Sequence, residues 1–223
     1  MNRMRLFVIV VLSVLNSHLL LAVRAPGFIV TNDSDTITGE IKIPIFDSYT
    51  GGLSLSGINL EQFHSVLRFR ETGTGRFESF KPHEIAGFGF EYKSIDYRFK
   101  AFSIATNSII ESERTRSRFL VLLFKGEVSV YKDMVRMDNF VAENALSDRV
   151  IDHYDYYLFD DRQGLKRVIR TANYRTVSEL LSLYQIDQDF VEQLPSDLRF
   201  KDIVEILQGY ESWKKRNVAQ HKL

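Results

Sequence analysis

The chain has 223 residues, enough for one sizeable domain with a small appendage, and with 44% apolar residues and only four prolines its bulk is not disordered. It contains no cysteine, which excludes disulfides, cysteine nucleophiles, thiolate zinc sites and a lipid anchor on an N-terminal cysteine. Its 29 basic residues balance 29 acidic ones, so nucleic acid, which needs a concentrated positive face, is not an expected partner.

Residues 1–25 carry the marks of an export signal. Arg3 and Arg5 precede the apolar run "LFVIVVLSVLNSHLLLAV", and Ala22 and Ala25 offer small residues at a cleavage site. The expected destination is the periplasm or the exterior. The run is also near the lower length limit of a membrane-spanning helix. An uncleaved N-terminal anchor is therefore the alternative, and only then is a membrane a partner. Removal of residues 1–25 takes away Arg3, Arg5 and Arg24 and leaves 26 basic against 29 acidic residues, a net charge of −3.

Beyond the signal, 17 Phe and ten Tyr favour pleated, half-buried surfaces. In "TITGEIKI", Ile37, Ile41 and Ile43 share one face, while Thr36, Thr38, Glu40 and Lys42 share the other, the period of a strand with one buried side. Phe28 and Val30 begin a similar run, and the intervening "NDSD" is rich in turn formers, so a hairpin is expected. Asp33 and Asp35 raise the alternative of a calcium loop. The spacing argues against it, since the fifth and sixth positions counted from Asp33 are Ile37 and Thr38 rather than an oxygen ligand and a glycine.

Next, "FDSYTGGLSLSGINLEQ" reads as an irregular connection. "SVLRFRE" and "GRFESFK" flank a "TGTG" turn, "PHEIAGFGFEY" passes from a turn into an aromatic strand, and "IDYRFKAFSI" alternates cleanly, with Ile95, Tyr97, Phe99 and Ala101 on one face. The aromatic alternation reads as the inner face of a sheet. Gly87 and Gly89 are the exception, leaving room on a strand face for a neighbour's ring or a ligand. The basic run "RTRSR", flanked by Glu111 and Glu113, reads as a solvated loop. "RFLVLLFKG" is apolar on both faces, as a central strand would be, and forms a hairpin with "EVSVYKD". Residues 134–153 have no clean period and read as a surface excursion, after which "YDYYLFDD" and "LKRVIRT" form a last hairpin.

The tail changes period. Thr176 and Glu179 form a capping box ahead of "TVSELLSLY", "DQDFVEQLPSD" holds a short helix ended by Pro195, and Ser196 or Asp197 caps the next. Phe200, Ile203, Leu207 and Tyr210 then recur at helical spacing. The expected fold is α+β, mainly antiparallel β (sandwich-like or a partial barrel) followed by C-terminal helices. The expected division is a signal at 1–25, a β domain at 26–172, a helical segment packed on the sheet at 173–217 and a frayed terminus at 218–223.

Chemistry is sparse. His64, His83, His153 and His221 lie in no zinc spacing, no G-x-S-x-G elbow is present, and "GTG" in "ETGTGRF" lacks the lysine of a phosphate loop. No cofactor or metal site is expected. His153 alone has acidic company, and His153, Asp155 and Asp160 are the candidate site residues, as metal ligands or an acid–base set. A polar strand edge and a hairpin tip account for the same residues.

The order of pieces resembles that of an uncharacterised family of small exported proteins from Bacteroidetes-type bacteria. "GFIVTNDSDTITGEIKI" is similar to their opening hairpin, "FESFKPHEIAGFGF" to an internal segment, "YYLFDDRQGLKRV" to a late hairpin and "ILQGYESW" to the end of their closing helix. The family's usual glycine before the hairpin's "DT" is Ser34 here. The resemblance implies export and the order of elements, and it carries no catalytic residue. The expectation is a non-catalytic binding or scaffolding module of the cell envelope with a protein or glycan partner. A hydrolase using dispersed carboxylates and His153, or a membrane-anchored assembly or sensor protein, are the alternatives.

Overall fold

The computed structural model describes residues 23–44, 58, 60–106, 114–133, 155–168, 176–195 and 198–220. Ten strands follow in order: β1 (Val23–Thr31), β2 (Thr36–Ile43), β3 (Leu67–Glu71), β4 (Glu78–Phe80), β5 (Ile85–Tyr92), β6 (Ile95–Thr106), β7 (Arg114–Phe124), β8 (Ser129–Lys132), β9 (Tyr156–Asp160) and β10 (Gly164–Arg167). Helices α1 (Val177–Ser182), α2 (Gln188–Glu192) and α3 (Ile203–Gln220) come last. The fold is α+β and mainly β, as expected.

All ten strands join one antiparallel sheet in the order β10-β9-β8-β7-β6-β5-β1-β2-β3-β4. Two meanders, β1–β4 and β5–β10, are thus joined where β1 pairs with β5. The joint constrains the shape. Four strand spacings of about 4.8 Å would separate β4 from β5 in a flat sheet, close to the full reach of the chain between Phe80 and Ile85. That connection also spends length on a turn, in which the Glu84 amide donates to the Lys81 carbonyl. The first five strands therefore curl, and Phe69 and Phe80 share one cavity wall with Ile29, Ile37 and Ile85.

The inside of the curl is aromatic. A 3-10 turn at Leu60–His64 pushes Phe63 against the sheet, its ring 5.6 Å from Phe88, 5.4 Å from Phe90 and 5.5 Å from Phe99 between centroids. Phe88 and Phe99 stack across the β5–β6 ladder at 4.4 Å, and Phe119 meets Phe88 edge-on at 5.0 Å. Alternation predicts this packing: residues that share strand parity share a face.

On the same face of β8–β10 the helices form a second core. Val130, Leu158 and Val168 pack with Leu180, Leu181, Ile203, Leu207 and Tyr210. The Thr176 side chain caps α1 and Glu179 completes the box, as its spacing predicts. The Tyr184 hydroxyl donates to the Leu158 carbonyl at 3.0 Å, and Lys214 of α3 pairs with Glu127 at 2.5 Å. Both bonds fasten the helical layer to the sheet.

Several expectations change. "RTRSR" is not a loop but the first half of β7, with Thr106 to Ser103 paired to Arg114 to Ser117. A continuous backbone ladder to the twelve-residue β6 outweighs a composition that reads as solvated. β1 begins at Val23, ahead of the run that Phe28 and Val30 mark in the sequence, and Ala25 is buried in the core. The closing helix runs to Gln220, beyond the expected end at 217. The excursion at 134–153 and the caps at Ser196 or Asp197 lie outside the described residues.

The stretch around Asp33 and Asp35 is a tight turn. The Thr31 amide donates to the Asp35 carbonyl at 2.9 Å and the Ser34 amide to the Thr31 carbonyl at 3.0 Å. Ser34 sits at φ 71°, in the left-handed region that favours glycine. Urea melts should show Ser34→Gly neutral or slightly stabilising and Ser34→Val destabilising by about 1–2 kcal/mol, since branched side chains resist that region. The same assay should show Phe63→Ala costing about 3–5 kcal/mol, because a fully buried ring and its three ring contacts are lost.

Candidate functional site

The face opposite the two cores is where polar and aromatic side chains meet. Across β1, β5 and β6 the register aligns Phe28 with Gly89 and Arg98, and Val30 with Gly87 and Lys100. Gly89 exists for a ring: a Cβ there would lie 2.7 Å from the Phe28 ring and 2.9 Å from Cδ of Arg98. The Arg98 guanidinium lies 4.7 Å from the centroid of the Phe28 ring and is itself held by both oxygens of Asp96, at 3.0 and 2.9 Å. This is the neighbouring ring that the Gly87/Gly89 pattern predicts.

Beside it lies a groove of about 250 Å³. Phe28, Val30, Ala86, Gly87, Phe88, Arg98, Phe99 and Lys100 line it. Lys100 reaches sideways over the sheet, its Nζ 3.9 Å from the centroid of the Phe159 ring and 5.4 Å from that of Phe102. Cation–π attraction of this kind holds an ammonium in place without neutralising it. Phe102, Phe159 and Tyr131 pack together, with ring centroids between 4.9 and 6.2 Å apart.

Further along the same face lies a charged ladder. Arg118 on β7 pairs with Asp133 at 2.8 Å, and Arg167 on β10 pairs with Asp155 at 2.6 Å. The Asp133 amide donates to the Asp155 carbonyl at 2.8 Å, locking the end of β8 to the start of β9. Asp133 is only 5% exposed. Tyr157 is buried between the two pairs. Burial raises its pKa to about 12, helped by the charges of Asp155 and Asp133 and opposed by Arg167 and Arg118.

Of the sequence candidates, His153 lies outside the described residues. Asp155 is committed to Arg167. Asp160 closes the β9–β10 turn, its Oδ1 accepting from the amides of Arg162 at 3.0 Å and Gln163 at 2.5 Å. Five residues of extended strand place Asp155 and Asp160 roughly 16 Å apart and on opposite faces. The geometry does not bring these two carboxylates together. His83 is exposed at the β4–β5 turn, 4.0 Å from Glu84, and His64 caps its own 3-10 turn through the Glu61 carbonyl. Sequence reading missed Asp133, Arg118 and Arg167 as a group, because nothing local says which strands β8 and β10 flank. Arg98 and Lys100 were visible only as the polar side of a strand.

No family model, no curated protein and no solved structure matches the chain.

Tyr157 gives a pH test. Its folded pKa of about 12 exceeds the ordinary 10, so its contribution is complete below pH 10 and is lost as pH rises through 12. Two units correspond to roughly 2–3 kcal/mol of stability. Urea melts between pH 9 and 12 should show this decline in the native protein and a smaller one in Tyr157→Phe.

Proposed function

We propose that the protein is an exported, non-catalytic binding or scaffolding module of the cell envelope, working through the sheet face opposite its two cores. The observation that carries this reading is the state of the charged groups on that face. Asp96, Asp133 and Asp155 are each held by an arginine, and so is Glu40 by Arg70. A general acid or base has to be poised to gain or lose a proton, whereas a carboxylate gripped by a guanidinium is fixed as an acceptor. What the face offers instead is an apolar groove on a backbone held by ladders on both sides. Rigid platforms of this kind suit binding.

Export rests on the charged and apolar pattern of residues 1–25 and on the resemblance to small exported proteins of Bacteroidetes-type bacteria. The start of β1 sharpens where processing would fall. Ala25 is buried and pairs with Ile41, and Val23 and Arg24 pair with Ile43 and Lys42. Cleavage after Ala22 keeps the strand whole, whereas cleavage after Ala25 would remove three ladder residues.

The intact mass and cell fraction of the native protein test this reading. A soluble periplasmic or secreted species beginning at Val23 is expected. A full-length species in the membrane fraction would overturn it in favour of an anchored protein.

A further inference from the structure

We infer that the outer face of β1–β3 is a binding site for a phosphate group, held by Arg24, Lys42 and Arg68. The inference rests on the proposed binding role of the sheet face opposite the cores, and it names what one part of that face takes.

Strand alternation builds the site. Ala25, Ile41, Ile43, Leu67 and Phe69 are buried in the aromatic core, so Arg24, Lys42 and Arg68, next to them in the chain, stand on the other face. Arg24 pairs with Lys42 across β1 and β2. The β2–β3 register, with Ile41 opposite Phe69, sets Arg68 on the far side of Lys42. Three cations thus lie side by side, one strand spacing of about 4.8 Å apart. Like charges directly opposite one another destabilise a sheet, so packing of the chain gives no reason for this row.

Nothing beside the row cancels it. The strand residues that share this face of β1–β4 include one carboxylate, Glu40, and Arg70 holds it. Among the described residues no carboxylate forms an ion pair with Arg24, Lys42 or Arg68. Arg24 lies instead over the Phe77 ring, 5.5 Å from its centroid, with Arg70 4.9 Å from the same centroid. By the β3–β4 register Phe77 stands next to Arg70, so Arg24 leans across β2 towards β3 rather than away from the row. The ring steadies the guanidinium and leaves its charge intact.

Donor number and charge select the ligand. A carboxylate brings one negative charge and satisfies one guanidinium. A phosphate monoester carries nearly two charges at neutral pH and three acceptor oxygens, so one group meets donors from several neighbouring side chains at once. The planar fork of arginine suits it at either end of the row, and the lysine ammonium supplies a point charge between them.

Titration of the ¹⁵N-labelled native protein with inorganic phosphate at about pH 8 and fixed ionic strength, followed by amide shifts, tests the site. The amides of Arg24, Lys42 and Arg68 should shift together and saturate, with Kd on the order of 1–10 mM. Acetate needs no variant and should bind the native protein about fivefold more weakly or worse, having less charge and fewer oxygens. Lys42→Gln should weaken phosphate binding by about threefold or more, and Lys42→Arg should stay within about twofold of native. Equal binding of phosphate and acetate would overturn the assignment. So would phosphate shifts of the same size at Lys201 and Lys215 in the helical layer, which would mark general charge screening. Given the expected shifts, sedimentation with vesicles containing phosphatidic acid tells the source of the phosphate. Co-sedimentation that Lys42→Gln abolishes assigns a lipid headgroup, and native protein left in solution assigns a soluble phosphate ester. Because the titration reads this face alone, a membrane-bound native species would retire the export reading without touching this one.

Discussion

The insertion of Phe63 into the Phe88, Phe90 and Phe99 cluster is the contact on which the first half of the molecule depends. A curled sheet must fill its interior, and the strands alone leave a space that one side chain from a 3-10 turn occupies. The three strand phenylalanines come from β5, which joins the two meanders through β1, and from its neighbour β6. Packing and topology meet at the same place. Loosening that cluster would release the β1–β5 joint and with it the curl.

The second core has a different origin. β8, β9 and β10 are short, of four, five and four residues, and each has little ladder to hold it. Their stability comes from the helical layer, through Leu158, Val130 and the Tyr184 hydroxyl, and from the two arginine–aspartate pairs on the other side. Buried ion pairs stabilise little in net terms but are expensive to break singly. Their effect here is to specify register: Arg118 finds Asp133, and Arg167 finds Asp155, only when β7 to β10 are aligned as observed.

Much of this order was legible in the sequence, and the reasons are local. Strands β2, β5 and β6 declared themselves by alternation, Ser34 marked a turn that geometry then placed in the left-handed region, and the Thr176–Glu179 box fixed the start of α1. The "RTRSR" strand was not legible, because its hydrogen bonds go to β6 and the side chains of Thr115, Arg116 and Ser117 are exposed. The candidate site suffered for the same reason. Asp155 and Asp160 are near in sequence and point apart, whereas Asp155 and Arg167 meet only through the β9–β10 hairpin. Clusters of like residues along a chain are weak guides to chemistry when a strand alternates their direction.

Net charge proved a poor guide to the surface for a related reason. Equal totals of acid and base say nothing about where each sits, and β6 and β7 gather Arg98, Lys100, Arg116 and Arg118 on the face opposite the cores. That concentration still falls short of a polyanion-binding stripe. Arg98 and Arg118 are consumed by Asp96 and Asp133, and Arg116 lies four residues along the ladder from the partner position of Lys100. Counterion release by a polymer needs several free cations in a row, and pairing has removed alternate members of this one. Beside them the Lys100 ammonium is held over the rings of Phe102 and Phe159 rather than by a carboxylate.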